Sequence, residues 1–342
     1  MADVRVGLIG AGNISGTHAR AVSELDGARI VAVYGPTLER AQKLAAAYGA
    51  AATDTLERFF GSAPMDMVAI GTPSGLHGEH GEAAAQRGLH VLVEKPIEIT
   101  TARADALIAE ADRARVTLGV IFQDRLKSDV RQLKSLVDNG SLGRLILARA
   151  QVPWWRPPEY YRDSRWRGTW GLDGGGALMN QAIHTVDVLL WLCGSVSSLA
   201  ARAATQLHDI EVEDTAVAML EFTSGAIGTL EATTAAFPGR PRRIELTGTE
   251  GTAILEGDRL VAVDLRNGQR IASARDAAPE NVSSPIVSDA SAHRAVFADF
   301  IHAFTHGTRP SCDGRDGRRS VQLIETIYHS SRLARPVEVR QA

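Results

Sequence analysis

Lys95 and His184 are the two side chains whose sequence context best suits proton transfer. Lys95 follows the apolar run Val91–Val93, which predicts a buried strand, and is preceded by Glu94. Ligands of open α/β sheets bind at the carboxyl ends of strands, where a lysine whose pKa is lowered by burial can exchange a proton with a hydroxyl or carbonyl oxygen. The structural alternative is a salt bridge that closes the strand end. Pro96, which fixes the chain direction directly after the pair, favours the functional interpretation.

His184 lies on a predicted amphipathic helix that follows three glycines at 174–176. Asn180 is its i,i+4 neighbour, and Asp187 lies one turn beyond His184. A histidine oriented by a carboxylate is typical of a general base. The alternative is a structural histidine with satisfied hydrogen bonds. The glycines, which open the backbone toward a ligand, favour the catalytic interpretation.

A glycine-rich turn ends the first apolar run, with Gly10 and Gly12 in a G-x-G pattern followed by Asn13 and Ile14. The first glycine permits a tight turn, and the second lets a pyrophosphate approach the free N–H groups of the next helix. The third glycine of the full fingerprint is displaced to Gly16. A plain structural turn is the alternative. The position of the turn at the start of a series of βαβ units favours a dinucleotide site.

The second predicted strand ends at Gly35 without the carboxylate that binds an adenosine ribose, and Glu39 is the nearest acidic residue. Gly35 leaves room for a 2′-phosphate, which Thr37 and Arg40 could contact. Arg40 could equally be a solvated helix residue. This turn favours NADP as the cofactor and leaves NAD as the alternative.

Strand-like and helix-like segments alternate over residues 1 to about 123. Short apolar runs separated by longer amphipathic segments predict βαβ units, and therefore a doubly wound parallel sheet of the Rossmann type. The runs are Val4–Ile9, Arg29–Val33, Met67–Ile70, His90–Val93 and Val116–Phe122, and the helical segments are Ile14–Leu25, Leu38–Tyr48, Leu76–Arg87 and Ala102–Ala114.

The pattern changes after residue 123, which predicts a second domain over residues 124–342. Alternating runs separated by turn residues predict an α+β domain with an open, mostly antiparallel sheet, and the polar stretch 270–290 predicts a surface loop. The predicted helices are Lys127–Asp138, Ala177–Leu192, His293–His306 and Arg318–Leu333, and the strands are Thr215–Phe222, Ala226–Ala232, Arg242–Thr247, Thr252–Glu256 and Arg259–Asp264.

The segment 153–170 holds four of the five tryptophans, two tyrosines and four arginines. Aromatic rings stack on sugar or base faces, and arginines bind phosphate or carboxylate groups. An aromatic interface between subunits is an equal alternative, because the same residue types dominate interfaces.

The composition excludes several classes of protein. The 342 residues are 44% hydrophobic and 23% charged, which excludes disorder, and the net charge of −3 offers no basic field for nucleic acid or an anionic membrane. Two cysteines and a start without a leader pattern predict a cytoplasmic protein. The spacings of His77 with His80 and of His302 with His306 could suit zinc, but no cysteine or carboxylate cluster accompanies them, so we expect no metal.

Together these residues resemble the Gfo/Idh/MocA oxidoreductases over nearly the whole chain. The motifs are Gly10-x-Gly12-x-Ile14 followed by His18, Thr72-Pro73 to His77, Glu94-Lys95-Pro96, Gln123-x-Arg125, and the three glycines leading to His184-x-x-Asp187. The resemblance implies a Rossmann domain that binds NAD or NADP, and a second domain that binds substrate and forms a homodimer or homotetramer. It also implies hydride exchange with a secondary alcohol of a sugar or cyclitol. His184 would be the base and Lys95 would bind the reacting oxygen and share in proton relay. Many members carry Asp at the position of Asn180. An asparagine can position the substrate but cannot accept a proton.

Within the family, residues 155–161, 166–170, 173–184, 210–215 and 308–317 resemble UDP-N-acetyl-2-amino-2-deoxyglucuronate dehydrogenases, which oxidise the C3 hydroxyl of a nucleotide sugar. Those enzymes carry an acidic residue at the position of Gly35. The alternatives are a dehydrogenase of inositol or another cyclitol, a keto-sugar reductase, a glycoside-cleaving enzyme with transient redox chemistry, and a non-catalytic nucleotide-binding sensor. The expected substrate contacts are Lys95, Arg125, Tyr161, Arg165, Asp173, Asn180 and His184. The expected cofactor contacts are Gly10, Gly12, Asn13, Ile14, Gly35, Thr37, Arg40, Thr72, Pro73, His77, Glu94, Lys95, Gln123, Trp166 and Arg167.

Overall fold

A computed structural model describes residues 3–272 and 290–340 of the chain. The described residues form two compact units. The first unit contains residues 3–123 and 290–318, and the second contains residues 124–272 and 319–340. No helix in the described part of the chain is long and apolar enough to cross a membrane.

The first unit is built on a six-stranded parallel sheet with the strand order β3-β2-β1-β4-β5-β6. The interior residues of β1 and β4 are buried, as continuous apolar runs require when helices cover both faces of a sheet. The order reverses between β1 and β4, which makes the carboxyl ends of these strands the switch point at which such sheets bind ligands. The predicted Rossmann sheet is confirmed. The strands are β1 Val4–Ile9, β2 Ala28–Tyr34, β3 Ala51–Thr53, β4 Met67–Ile70, β5 His90–Val93 and β6 Leu118–Val120.

Five helices connect these strands, and the sequence predicts four of them. It does not predict the short pair β3 and α3, since three and seven residues carry too little periodic signal. The run Val116–Phe122 gives a strand of only three residues, β6. The helices are α1 Asn13–Ser23, α2 Leu38–Ala46, α3 Leu56–Ser62, α4 His77–Ala85 and α5 Thr101–Ala114.

The second unit contains a nine-stranded sheet with the order β14-β13-β12-β11-β7-β10-β9-β8-β15. All neighbours are antiparallel except β7 and β10, which run parallel, so the prediction of an open, mostly antiparallel sheet is confirmed. Burial alternates along β9, where Ala218 and Leu220 face the core while Val217 and Met219 are exposed. The strands are β7 Leu145–Pro153, β8 Val196–Ala204, β9 Thr215–Phe222, β10 Ile227–Thr233, β11 Arg243–Gly248, β12 Gly251–Glu256, β13 Arg259–Leu265, β14 Arg270–Ala272 and β15 Val337–Glu338.

Three α-helices of this unit lie between β6 and β8: α6 Ser128–Asp138, α7 Glu159–Arg162 and α8 Ile183–Cys193. The helix predicted over Ala177–Leu192 has two parts, because a π-helical turn occupies Ala177–Ala182 before α8 begins. π-Helical turns are rare and often mark functional sites.

Residues 270–272 form β14, which pairs with β13, so the loop predicted from residue 270 begins later. Residues 273–289 lie outside the described residues, and the loop there stays a prediction.

Two helices close the chain, α9 Ser291–His306 and α10 Gly314–Leu333. The sequence assigns both to the second domain, but α9 belongs to the first unit. The physical reason is apolar packing, because Phe300 is fully buried against Gly119, where a Cβ would lie 2.6 Å from its ring. Phe297 packs edge-on against His18 with ring centroids 5.6 Å apart. The predicted boundary at residue 123 therefore marks where the chain first leaves the first unit. It omits residues 290–318, which belong to the first unit again.

Candidate active site

The glycine turn after β1 has the geometry of a phosphate cradle. Gly10 has a φ of +119°, and a Cβ there would lie 2.8 Å from the Gly71 carbonyl oxygen. A Cβ at Gly12 would meet no atom within 4 Å. Gly12 is the N-cap of α1 and has no side chain that could bind the first N–H groups of the helix. The first turn of α1, which includes Asn13 and Ile14, holds no acidic residue. These residues fit a pyrophosphate bound at the N-terminus of α1.

The turn after β2 explains why no carboxylate is present at position 35. Gly35 is buried, and a Cβ there would lie 2.8 Å from the Cβ of Ala11 in the glycine turn. An acidic residue would therefore displace one of the two turns. Thr37 and Arg40 are exposed beside them, and Thr37 makes no side-chain capping bond at the start of α2.

Lys95 follows β5, and its backbone is held by the buried carboxylate of Glu94. One carboxylate oxygen accepts the Lys95 N–H at 3.1 Å, and the other lies 2.9 Å from Nε2 of His18 and 3.7 Å from Nε2 of His293. Although burial opposes ionisation, hydrogen bonds from the two histidines hold the pKa of Glu94 well below its usual range. The sequence assigns Glu94 to the cofactor, and in the structure its carboxylate binds the backbone of Lys95.

His18, Glu94 and His293 could also be considered as metal ligands, because their ligand atoms lie within 4.8 Å of one another. Zinc-bound histidines normally donate their second ring N–H to an acceptor. Neither Nδ1 atom has a hydrogen-bond partner among the described residues. The arrangement therefore suits imidazoles that donate to Glu94, and we assign no metal to it.

His77 is expected near the cofactor, but its ring is buried between two backbone carbonyl groups. Nδ1 lies 2.7 Å from the Pro96 oxygen, and Nε2 lies 3.0 Å from the Thr72 oxygen. His77 therefore joins the turn at Thr72-Pro73 to the turn at Lys95-Pro96. Gln123 lies just after β6, and its buried Oε1 has no partner among the described residues.

In the second unit, Asp187, the residue expected to orient His184, forms an ion pair with Arg125. Both carboxylate oxygens of Asp187 accept hydrogen bonds from Arg125, at 2.8 and 2.6 Å, and both side chains are buried. The spacing of His184 and Asp187 correctly places them near each other on α8 but does not reveal the arginine 62 residues away. Arg125, which the sequence predicts as a substrate contact, forms this buried ion pair in the structure.

Asp124 is a neighbour of His184 that sequence reasoning missed. Burial raises the pKa of its carboxyl group, but Arg242, Lys127 and then His184 outweigh burial and lower it. Arg242 donates to Asp124 at 2.5 Å, and the Lys127 ammonium lies 2.9 Å away. Asp124 is therefore a buried anion that interacts electrostatically with His184. Its position between the two motif residues Gln123 and Arg125 was the available signal.

A chain of polar side chains surrounds the π-helical turn. Asn180 donates to the buried Asp173 at 2.5 Å and accepts from Gln181 at 2.9 Å. Gln181 also donates to the Tyr160 hydroxyl at 2.8 Å, and its side-chain oxygen accepts two bonds from Arg156. Sequence reasoning found Asn180 and Asp173 but missed the other three residues, because the contacts join segments about 20 residues apart.

The aromatic segment 153–170 presents cations over rings. The guanidinium of Arg167 lies 4.2 Å from the ring centre of Tyr160 and 5.6 Å from that of Trp166. Its buried Nε has no partner in the described part of the chain, so it can donate to an anionic ligand. Arg165 is exposed.

Tyr161, unlike Tyr160, is turned away from this polar chain. Its hydroxyl lies 2.9 Å from the Thr234 hydroxyl, and its ring packs against His208. The substrate contact expected at Tyr161 stays a prediction.

An open glycine turn at the first strand of a Rossmann sheet is typical of a dinucleotide-binding protein. The model of an oxidoreductase family with an NAD-binding Rossmann fold matches residues 4–122, and the model of the GFO/IDH/MocA C-terminal domain matches residues 130–254. The chain belongs to the Gfo/Idh/MocA family of oxidoreductases.

Its relatives are sugar and cyclitol dehydrogenases. The chain is 28% identical to the D-apiose dehydrogenase of Paraburkholderia graminis, over 97% of this chain and 89% of the relative. It is 26% identical to the inositol 2-dehydrogenase of Rhizobium meliloti, over 98% and 99%. It also resembles the WlbA dehydrogenase from Bordetella pertussis, crystallised with NADH and UDP-GlcNAcA, with 32% identity, a TM-score of 0.88, and coverage of 100% of this chain and 99% of that one.

The buried pair of Arg125 and Asp187 gives the first prediction. Asp187→Asn leaves an uncompensated guanidinium charge in the core, and we expect the free energy of unfolding to fall by about 3–5 kcal/mol. Urea denaturation measures this change. The control is Asp54→Asn, since Asp54 pairs with the exposed Arg58 and should cost about 0–1 kcal/mol. Equal losses in the two variants would contradict the assignment.

Proposed function

We propose that this protein is an NAD(P)-dependent dehydrogenase that oxidises a secondary hydroxyl of a pyranose, at C3, in a UDP-sugar or a glycoside. The observation that carries the proposal is the polar and cationic cluster formed by Asn180, Gln181, Tyr160 and Arg167 in the segments that precede α8. A sugar hydroxyl pairs with the amides, and a phosphate or carboxylate pairs with the arginine. The WlbA structure with UDP-GlcNAcA supports this substrate class.

His184 is proposed to take the hydroxyl proton, and the reacting oxygen is proposed to bind Lys95. The carboxylate of Asp124 stabilises the imidazolium that results. Asn180 is held by Asp173, so its amide is oriented before the substrate binds. The nicotinamide cofactor, when bound, accepts the hydride from the alcohol carbon. Gly10, Gly12, Asn13 and Ile14 would hold its pyrophosphate.

A cyclitol substrate is the second candidate, since the inositol 2-dehydrogenase of Rhizobium meliloti covers nearly the whole chain. A cyclitol carries no phosphate or carboxylate and does not need Arg167. Turnover should therefore be followed at 340 nm with UDP-sugars, simple glycosides and myo-inositol, each with NAD and with NADP. Turnover of myo-inositol alone would favour the second candidate, and turnover of none with either cofactor would contradict both.

His184→Ala is expected to retain cofactor binding and to lower kcat by about 10²–10⁴-fold, because the alcohol loses its general base. Lys95→Ala should also lower kcat by orders of magnitude. Calorimetric titration measures binding, and the absorbance assay measures turnover. His302→Ala, an exposed histidine of α9, is the control. Full activity of the His184 variant would exclude it as the base.

We propose NADP as the preferred cofactor, because the packing of Gly35 on Ala11 leaves no carboxylate to meet a 2′-phosphate. Arg40→Ala should then weaken NADPH binding by about 10–100-fold, the value of a charge-assisted hydrogen bond, and leave NADH binding unchanged. Isothermal titration of both cofactors measures the difference, and Arg58→Ala on α3 is the control. Tighter binding of NADH by the unmodified protein would contradict the proposal, and the NADH bound to WlbA makes this comparison decisive.

We also propose that a second copy of the chain binds the outward face of the nine-stranded sheet, giving a homodimer or homotetramer. Val217, Met219 and Ile227 are 50%, 66% and 59% exposed there, and such a patch is typical of an interface. Met219→Glu is expected to reduce the mass measured by light scattering to that of one chain. Leu333→Glu, at an exposed leucine of α10, should leave it unchanged. A wild-type protein of single-chain mass would contradict the proposal.

A further inference from the structure

The carboxylate of Glu213 is buried directly behind the turn that leads to His184. One oxygen accepts the Gly176 N–H at 3.0 Å, and the other accepts the Leu178 N–H at 2.8 Å and the Tyr328 hydroxyl at 3.0 Å. The backbone oxygen of Glu213 also accepts the Ala177 N–H at 3.0 Å. Three consecutive N–H groups at the start of the π-helical turn therefore end on one residue.

The glycines of this segment are required by the same residue and by its phenol partner. A Cβ at Gly176 would lie 1.9 Å from the backbone oxygen of Glu213, and a Cβ at Gly175 would lie 2.2 Å from the Tyr328 hydroxyl oxygen. A larger side chain at Gly176 would displace the backbone of Glu213, and one at Gly175 would displace the Tyr328 side chain. The two glycines thus allow Glu213 and Tyr328 to approach the turn closely. The sequence predicts a different role for them, which is to open the backbone toward a ligand.

The position of the π-helical turn determines the positions of Asn180 and His184. It contains Asn180 and Gln181 and continues without a break into α8, which begins at Ile183 and carries His184 in its first turn. Leu178, whose N–H is bound by Glu213, lies two residues before Asn180 and six before His184. A movement of the turn therefore moves both side chains together.

We propose that Glu213 is a positioning residue, which fixes Asn180 and His184 through the backbone N–H groups of Gly176 and Leu178. The inference rests on the proposed function to the extent that His184 is the base. Its structural part, the fixing of the turn, stands on these hydrogen bonds alone.

The charge on Glu213 is finely balanced. Burial raises the pKa of its carboxyl group to about 7, against the hydrogen bonds from Leu178, Gly176 and Tyr328, which lower it. Burial and the Glu213 charge in turn raise the pKa of the Tyr328 phenol, with a further contribution from Asp173. All the named partners of Glu213 donate, so the carboxylate satisfies them and the protonated acid, which must itself donate, satisfies them less well. We therefore place the test at pH 8.5, where Glu213 is ionised.

The test compares Glu213→Gln with Glu211→Gln at pH 8.5. A glutamine at 213 turns an N–H group toward backbone donors, so we expect kcat to fall about 10–100-fold, consistent with a small displacement of His184. We expect the Kd for NAD(P)H to stay within about twofold, since the glycine turn belongs to the first unit. Tyr328→Phe removes one donor and should give a smaller fall in kcat. Glu211 is exposed and accepts only the Trp170 N–H among the bonds described, and its variant should match the wild type.

Hydrogen exchange of the Gly176 and Leu178 amides, followed by mass spectrometry over residues 173–184, supplies a readout that needs no substrate. Exchange at these amides should be slow in the wild type and in Glu211→Gln, and at least tenfold faster in Glu213→Gln. Faster exchange with no turnover in the wild type would support the positioning of the turn and refute the proposed function. Unchanged exchange, or wild-type kcat per folded molecule in Glu213→Gln, would overturn the positioning role.

Discussion

Two buried carboxylates hold the turns on which the proposed chemistry depends. An ionised carboxyl group is costly to bury unless donors surround it, and each of these groups is surrounded by donors from the segments it must fix. Glu94 draws on His18 and His293 and binds the N–H of Lys95. Glu213 draws on Tyr328 and binds N–H groups at the start of the π-helical turn. In both cases the donor comes from a helix much later in the sequence: His293 of α9 for Glu94, and Tyr328 of α10 for Glu213.

The Rossmann sheet could be predicted from the sequence because buried parallel strands such as Met67–Ile70 are continuous apolar runs bounded by turn residues. The antiparallel strands around Thr215–Phe222 could be predicted because short strand-like runs there are separated by turn residues such as Ser224 and Gly225. Strand β8 was not predicted, since its alanines and serines give no clear alternation. Helix α9 was assigned to the wrong domain because sequence order does not say which core its phenylalanines enter.

The candidate site shows the same division between local and distant information. Short spacings predict His184, Asn180 and Lys95 as site residues, since local motifs contain them. Other residues of the same motifs have partners from distant segments. Arg125 pairs with Asp187, His293 lies beside Glu94, and Glu213 binds the N–H of Gly176. A single sequence carries no signal for such pairs, and the ion pair of Arg125 with Asp187 could not be predicted for that reason.

The contact between Ala11 and Gly35 has a consequence for how cofactor preference can change in this chain. A Cβ at position 35 would lie 2.8 Å from the Cβ of Ala11. An aspartate at 35 would therefore displace the glycine turn, even though its carboxylate is suited to bind a ribose. A glycine at 11 would make that space available, but by itself it loosens the turn and contributes nothing to recognition. The two substitutions are therefore each harmful alone and compatible only together. An evolutionary path between the two cofactors at this site is a narrow one that must pass through a weakened intermediate or a simultaneous change.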